Sequence, residues 1–150
     1  MKESIYIIEF CRNSEDVLYD YEKFSDNDKK KMSNIDTSSS FDFDDEHGNY
    51  TCYILIKPSE FEKYKKVLDD NIIPYICTDI SQNVIKNNIN LEKRLIKYCY
   101  IYNENSHSNF IKKVNEWITS NLDLDLVLDM INEKGINSLR RVYRNFLEGI

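Results

Sequence analysis

The period of the apolar positions changes near residue 80. Before it, short runs of β-branched and aromatic residues alternate with amphipathic stretches; after it, apolar residues recur at helical spacing. Ser4–Cys11 (SIYIIEFC) reads as a buried strand. Asn13 or Ser14 then caps a helix that carries Glu15 and Asp16 in its first turn, where the helix dipole favours anions. Val17, Leu18, Tyr21 and Phe24 follow at helical spacing. The pattern decays into SDNDKKKMSNIDTSSS, so Ser25–Ser40 is expected to be an exposed linker with at most one helical turn at Lys29–Met32. Phe41–Phe43 and Tyr50–Lys57 predict a hairpin turning at Gly48-Asn49, with TCYILIK the strongest strand of the chain. Pro58-Ser59-Glu60 starts a helix, with Ser59 as its cap and Phe61, Tyr64, Val67 and Leu68 as its apolar stripe. Ile72–Ile80 predicts a last strand, which Pro74 confines to an edge or to its first residues.

The order strand, helix, strand, strand, helix, strand predicts an α+β fold with a ferredoxin-like (split βαβ) antiparallel sheet over residues 1–81. Residues 82–150 are expected to form a helical region joined to it in one compact domain. Leu91, Leu95, Cys99 and Tyr102 place Asn90–Tyr102 on one helical face, although KYCYIY also alternates as a strand would. Phe110, Val114, Trp117 and Ile118 define a helix over Ser106–Leu122. Asp123 or Asp125 caps a further helix with Leu124, Val127, Leu128 and Ile131 inward. Gly135 supplies a left-handed stop. Asn137 or Ser138 caps a last helix, whose Leu139, Val142, Tyr143, Phe146 and Leu147 face inward. So short a hairpin cannot bury its apolar face alone and must dock on this domain or on another protein.

Composition narrows the classes. With 150 residues, 41% apolar and 13% aromatic, the chain can build a core without metals or disulfides. Eleven Tyr beside three Gly and two Pro, with abundant Asn, Ile and Lys, suit an AT-rich genome and a bacterial or phage source. The net charge of −6 argues against nucleic acid as the partner. It is unevenly spread: residues 1–80 hold 18 acidic and 10 basic side chains, net −8, and residues 81–150 hold 8 and 10, net +2. Cys11, Cys52, Cys77 and Cys99 each sit in an apolar run and never form a CxxC pair, so they are expected to be buried free thiols in a reducing cytoplasm. No stretch approaches the ~20 apolar residues of a membrane span, and MKESIYIIEF lacks the apolar core of a signal peptide.

Asp125, Val127-Leu128-Asp129, Ile131-Asn132, Gly135, Ser138-Leu139 and Phe146-Leu147 resemble a small helical segment that ends many Bacteroidota proteins. Rhomboid-like membrane proteins of that phylum carry it as a cytoplasmic tail. The likeness covers residues 123–147, and no family is recognised for residues 1–122. It implies a Bacteroidota host, or a phage of one, and a helical docking element; it transfers no catalytic residue. Where the family pattern has Thr-x-x-Glu, this chain has Arg140, Arg141, Val142 and Tyr143, which makes the last helix more basic.

Candidate chemistry is sparse. Asp44, Asp45, Glu46 and His47, with Asp42 nearby, form the densest group of metal-ligand types, and Asp44, Glu46 and His47 are its candidate ligands. The spacing of a calcium loop is absent, and a solvated hairpin tip accounts for the group. His47 and His107 titrate naturally near neutral pH, yet no nucleophile motif surrounds either, and His107 is expected in an exposed polar loop. Isolated glycines offer no phosphate cradle, so no cofactor is expected. Arg140, Arg141 and Arg144, with Lys112, Lys113 and Lys134, could form a basic patch suited to an acidic protein. The expected function is therefore a non-enzymatic interaction or adaptor protein. It would dock another protein through Arg140, Arg141, Tyr143, Arg144, Phe146 and Leu147, with homodimerisation as a related case. The alternatives are a small-ligand-sensing regulatory domain or a metal-dependent enzyme using Asp44–His47.

Overall fold

The computed structural model describes residues 2–99 and 104–150, which divide into two compact units, Met1–Ile80 and Ser81–Ile150. The first is α+β and contains one four-stranded antiparallel sheet. Its strands are β1 (Ser4–Phe10), β2 (Thr37–Asp44), β3 (Tyr50–Ile56) and β4 (Tyr75–Asp79), in the order β2-β3-β1-β4. The apolar runs SIYIIEF and YTCYILI take the two central places, where both edges are hydrogen-bonded. Their register sets Ile8 opposite Cys52 on one side and Cys77 on the other. The outer strands are blunted: β2 has a register shift between Thr37 and Ser39, and β4 is five residues long with Pro74 before it.

Helices α1 (Ser14–Glu22), α2 (Asp26–Ser33) and α3 (Pro58–Asp70) complete this unit. The Asn13 carboxamide oxygen accepts from the Asp16 N–H at 2.9 Å and starts α1. Ile8, Phe10, Ile54 and Ile56 of the sheet form one core with Val17, Phe24, Phe61, Val67, Leu68 and Ile73. Tyr6 stacks on Phe61 with ring centroids 3.9 Å apart, and burying a ring such as that of Phe61 contributes about 1.5–3 kcal/mol. Ile5, Phe41, Phe43, Tyr53 and Leu55, on the opposite parity of the strands, are buried too.

Several expectations need correction. Ser25–Ser40 is not a linker: it holds α2 and the first half of β2. Helix α2 buries none of its residues, so it leaves no apolar period to read. Its start is set instead by Ser25, whose hydroxyl accepts from the Asp28 N–H at 3.1 Å. Asn71 ties it to α3, donating to the Asp28 carboxylate at 3.1 Å. Ser59 does not cap α3; Pro58 opens that helix, and Lys57 precedes it without a side-chain bond. The last strand begins at Tyr75 rather than Ile72, because Ile72 and Ile73 close α3. The Ile72 N–H reaches the Asp69 carbonyl at 3.1 Å and the Ile73 N–H the Leu68 carbonyl at 3.0 Å, the paired bonds of a Schellman stop. Leu18 of the expected α1 stripe is 59% exposed. Cys11 is exposed and Cys52 and Cys77 half-buried, leaving only Cys99 buried; all four are free thiols.

The second unit is helical: α4 (Ser81–Ile85), α5 (Leu91–Cys99), α6 (Glu104–Asn121), α7 (Leu124–Lys134) and α8 (Arg141–Glu148), with a 3₁₀ turn at Ile136–Ser138. Segment 91–99 is thus helix, and Tyr102 of the expected stripe lies outside the described residues. Leu91, Leu95, Tyr98, Cys99, Phe110, Ile111, Val114, Trp117, Ile118, Val127, Met130, Leu139, Val142 and Tyr143 are buried apolar side chains of this unit, beside Val84 and Ile85. Asp123 caps α7, accepting from the Leu126 N–H at 2.8 Å. Gly135 has φ +81° and ψ 154°, a region open essentially to glycine alone, rather than the left-handed helical conformation expected. Neither Asn137 nor Ser138 caps α8. The Ser138 hydroxyl turns back to the Lys134 carbonyl at 2.6 Å, and Arg140 is the capping residue without a side-chain bond. No helix among the described residues is long and apolar enough to cross a membrane.

Candidate partner-binding groove

The polar side of α6 builds one wall of an open groove in the second unit. Ser108, Ile111, Lys112, Asn115, Glu116 and Thr119 recur at intervals of three and four, so they share one helix face. The start of α8 and the Arg140 cap before it supply the facing wall with Arg140, Arg141, Val142 and Asn145, while Glu92 of α5 and His107 complete a volume of about 690 Å³. The α6 stripe runs about 16 Å along the helix axis at 1.5 Å per residue.

Charge in the groove is unevenly satisfied. Arg140 is held: it donates to the Asn87 side-chain oxygen at 3.2 Å and lies 4.0 Å from the Glu92 carboxylate, with its side chain 17% exposed. Its guanidinium also stands 6.0 Å from the centre of the Tyr143 ring. Glu116 is shared with Lys113 at 3.9 Å. Lys112 and Arg141 have no ion-pair partner among the described residues, and Arg141 is exposed. Ile111 and Val142 also line the groove but are buried, so they belong to the core of this unit.

Only part of the expected interface converges here. Arg140 and Arg141 line the groove. Tyr143 does not face a partner: it is fully buried, and its hydroxyl donates to the carbonyls of Val84 at 3.1 Å and Ile85 at 3.0 Å. It therefore satisfies backbone groups at the end of α4, and that burial pushes its phenol up to about 12. Arg144 is spent on the loop before α8, donating to the carbonyls of Leu139, Ile136 and Asn137 at 2.9, 3.2 and 3.1 Å. Phe146 and Leu147 are half-buried, and Leu147 lines a smaller pocket of about 340 Å³ with Ile136 and Arg144. Of the remaining basic residues, Lys112 joins the groove, Lys113 pairs with Glu116, and Lys134 ends α7.

His107 sits in the first turns of α6 rather than in an exposed loop, and it is 5% exposed. Burial pushes its imidazole pKa down, with the Glu92 charge acting in the opposite direction. It is therefore neutral at neutral pH.

The acidic hairpin tip serves the backbone. Asp44 accepts from the Ser14 N–H at 2.9 Å and from the Ser14 hydroxyl at 2.8 Å, fixing the start of α1 to the end of β2. Asp45 accepts from the N–H groups of His47 and Asn49, both at 2.9 Å, and so shapes the turn in which Gly48 has φ +76°. Asp42 accepts from the Tyr50 hydroxyl at 2.7 Å, while Glu46 and His47 are exposed. Among the described residues, no group of three or more His, Cys, Asp and Glu side chains is placed to hold a metal ion.

Compared with known proteins, the chain matches no family model, and neither a curated protein nor a solved structure matches it significantly.

Proposed function

We propose that this is a protein-interaction module of a bacterium or phage, non-enzymatic, whose helical unit takes an acidic segment of a partner protein into the α6/α8 groove. The observation that carries this reading is the pair of cations, Lys112 and Arg141, that form no ion pair among the described residues in a groove whose own acids, Glu92 and Glu116, lie against Arg140 and Lys113. An acidic amphipathic segment would supply carboxylates to both and lay its apolar side along their aliphatic stems. The likeness of residues 123–147 to a cytoplasmic docking tail supports the same role, although the groove lies on α6 and α8 rather than on the hairpin alone. For the first unit we favour the ferredoxin-like arrangement. Its supports are the order β2-β3-β1-β4 with antiparallel neighbours, and helices lying between β1 and β2 and between β3 and β4. Four free cysteines suit a reducing cytoplasm.

The test is fluorescence anisotropy of the full chain with a labelled helical peptide of alternating Glu and Leu turns, beside a Lys-for-Glu control. The acidic peptide binds, the basic one does not, and Lys112→Glu with Arg141→Glu weakens binding about tenfold or more at low salt. Equal binding of both peptides, or an affinity indifferent to the two reversals, would overturn the reading.

A further inference from the structure

The chain carries its own example of the segment that the groove fits. Helix α7 buries Val127 and Met130 and leaves a second face outward, formed by Leu124, Asp125, Leu128, Asp129 and Asn132. Leu124 and Leu128, one turn apart, are each 44% exposed. Asp125 and Asp129 flank them, also one turn apart, with no ion-pair partner among the described residues. Two like charges at that spacing repel along an isolated helix, so an external cation pair would relieve them. An acidic pair on an outward helix face is the counterpart of Lys112 and Arg141, which line the groove without an ion pair among the described residues. Lengths agree as well: the eleven residues of α7 span about 16 Å, as does the α6 stripe.

We infer that the occupant of the groove is the α7 helix of a second copy of this chain, so that the protein forms a two-fold dimer in which each α7 lies in the other's α6/α8 groove. This rests on the groove reading above and names its partner. In a two-fold interface the same contact is made twice, so one charge pair satisfied is two in the assembly. Asp125 and Asp129 meet Lys112 and Arg141, and Leu124 and Leu128 lie against the aliphatic stems of those two side chains.

Sedimentation equilibrium of the full chain over a range of concentrations and salt tests it. The wild type dimerises, less at high salt. Asp125→Lys with Asp129→Lys, and separately Lys112→Glu with Arg141→Glu, each raise the dimer dissociation constant about tenfold or more while circular dichroism stays unchanged. An equimolar mixture of the two variants regains the dimer, because the reversed α7 of one then faces the reversed groove of the other while the native α7 of the second faces the native groove of the first; simple misfolding of either variant would not be repaired by mixing. A monomeric wild type overturns the inference, as does a mixture of folded variants that fails to associate. If the wild type is monomeric yet still binds the acidic peptide, the groove reading stands and only the second copy is lost.

Discussion

Ile72 occupies a position that the backbone reserves for glycine, and relieving it should stabilise the first unit. The Schellman stop of α3 needs a left-handed residue between Asn71 and Ile73, and Ile72 supplies it with φ +56°. A β-branched side chain there crowds its own backbone, at a cost of about 1–2 kcal/mol. Ile72 gains little in return, because it is 89% exposed and buries almost none of its apolar surface. The substitution Ile72→Gly removes the strain but adds freedom to the unfolded chain, which takes back about 0.4–1 kcal/mol. The expected net is a stabilisation of about 0.5–1 kcal/mol, or an upward shift of about 1–4 °C for a chain of this size. Urea unfolding monitored by far-ultraviolet circular dichroism reads it, with Ile72→Ala as the control that keeps a Cβ and most of the strain. Asn87, the other non-glycine residue at positive φ (+61°) among the described residues, is of a type that tolerates the conformation, so Asn87→Gly should gain much less. A neutral or destabilising Ile72→Gly would refute the reasoning and mean that the exposed side chain makes contacts of its own.

Tyr143→Phe removes the buried donor of the Ile85 carbonyl and leaves the Val84 carbonyl with the Asn87 N–H alone, and should cost about 1–3 kcal/mol in chemical unfolding. Asp44→Ala releases both Ser14 bonds and should destabilise the first unit by about 1–3 kcal/mol; if Asp44 were instead a metal ligand, the loss would vanish in chelator-treated protein. His107 has its pKa lowered by burial, so below its ordinary value the unfolded chain binds a proton that the folded chain refuses. Stability from this source is complete above about pH 6.5 and falls as pH drops from there toward the folded value, and His107→Gln should flatten that part of the urea-midpoint profile.

How much the sequence disclosed depended on whether a side chain's partner lay near it in the chain. TCYILIK announced β3 because a central strand must bury nearly every residue, and the stripe Phe110, Val114, Trp117, Ile118 announced α6 because one face of a helix must be apolar. Helix α2 was illegible for the opposite reason: none of its residues is fully buried, its half-buried Met32 rests on the core, and it is fixed by the Ser25 cap and by Asn71 across 43 residues of chain. Tyr143 reads identically in sequence whether its hydroxyl faces a partner or a buried carbonyl, and only Val84 and Ile85, nearly sixty residues earlier, decide between them. Arg141 was legible as a basic residue, but a groove needs a second wall. That wall is the polar stripe of α6, which shows in the sequence as Ser108, Lys112, Asn115 and Thr119 at helical spacing and signals nothing until α8 is set against it.

The most direct test of the central claim maps where an acidic ligand lands. Titrating the isotope-labelled full chain with the Glu-Leu helical peptide, and following backbone amide shifts by nuclear magnetic resonance, should move Ser108, Lys112, Asn115, Arg141 and Asn145 together with one saturation curve. Shifts confined to the Ile136–Leu147 pocket or to the sheet unit, or no shifts at all, would contradict it.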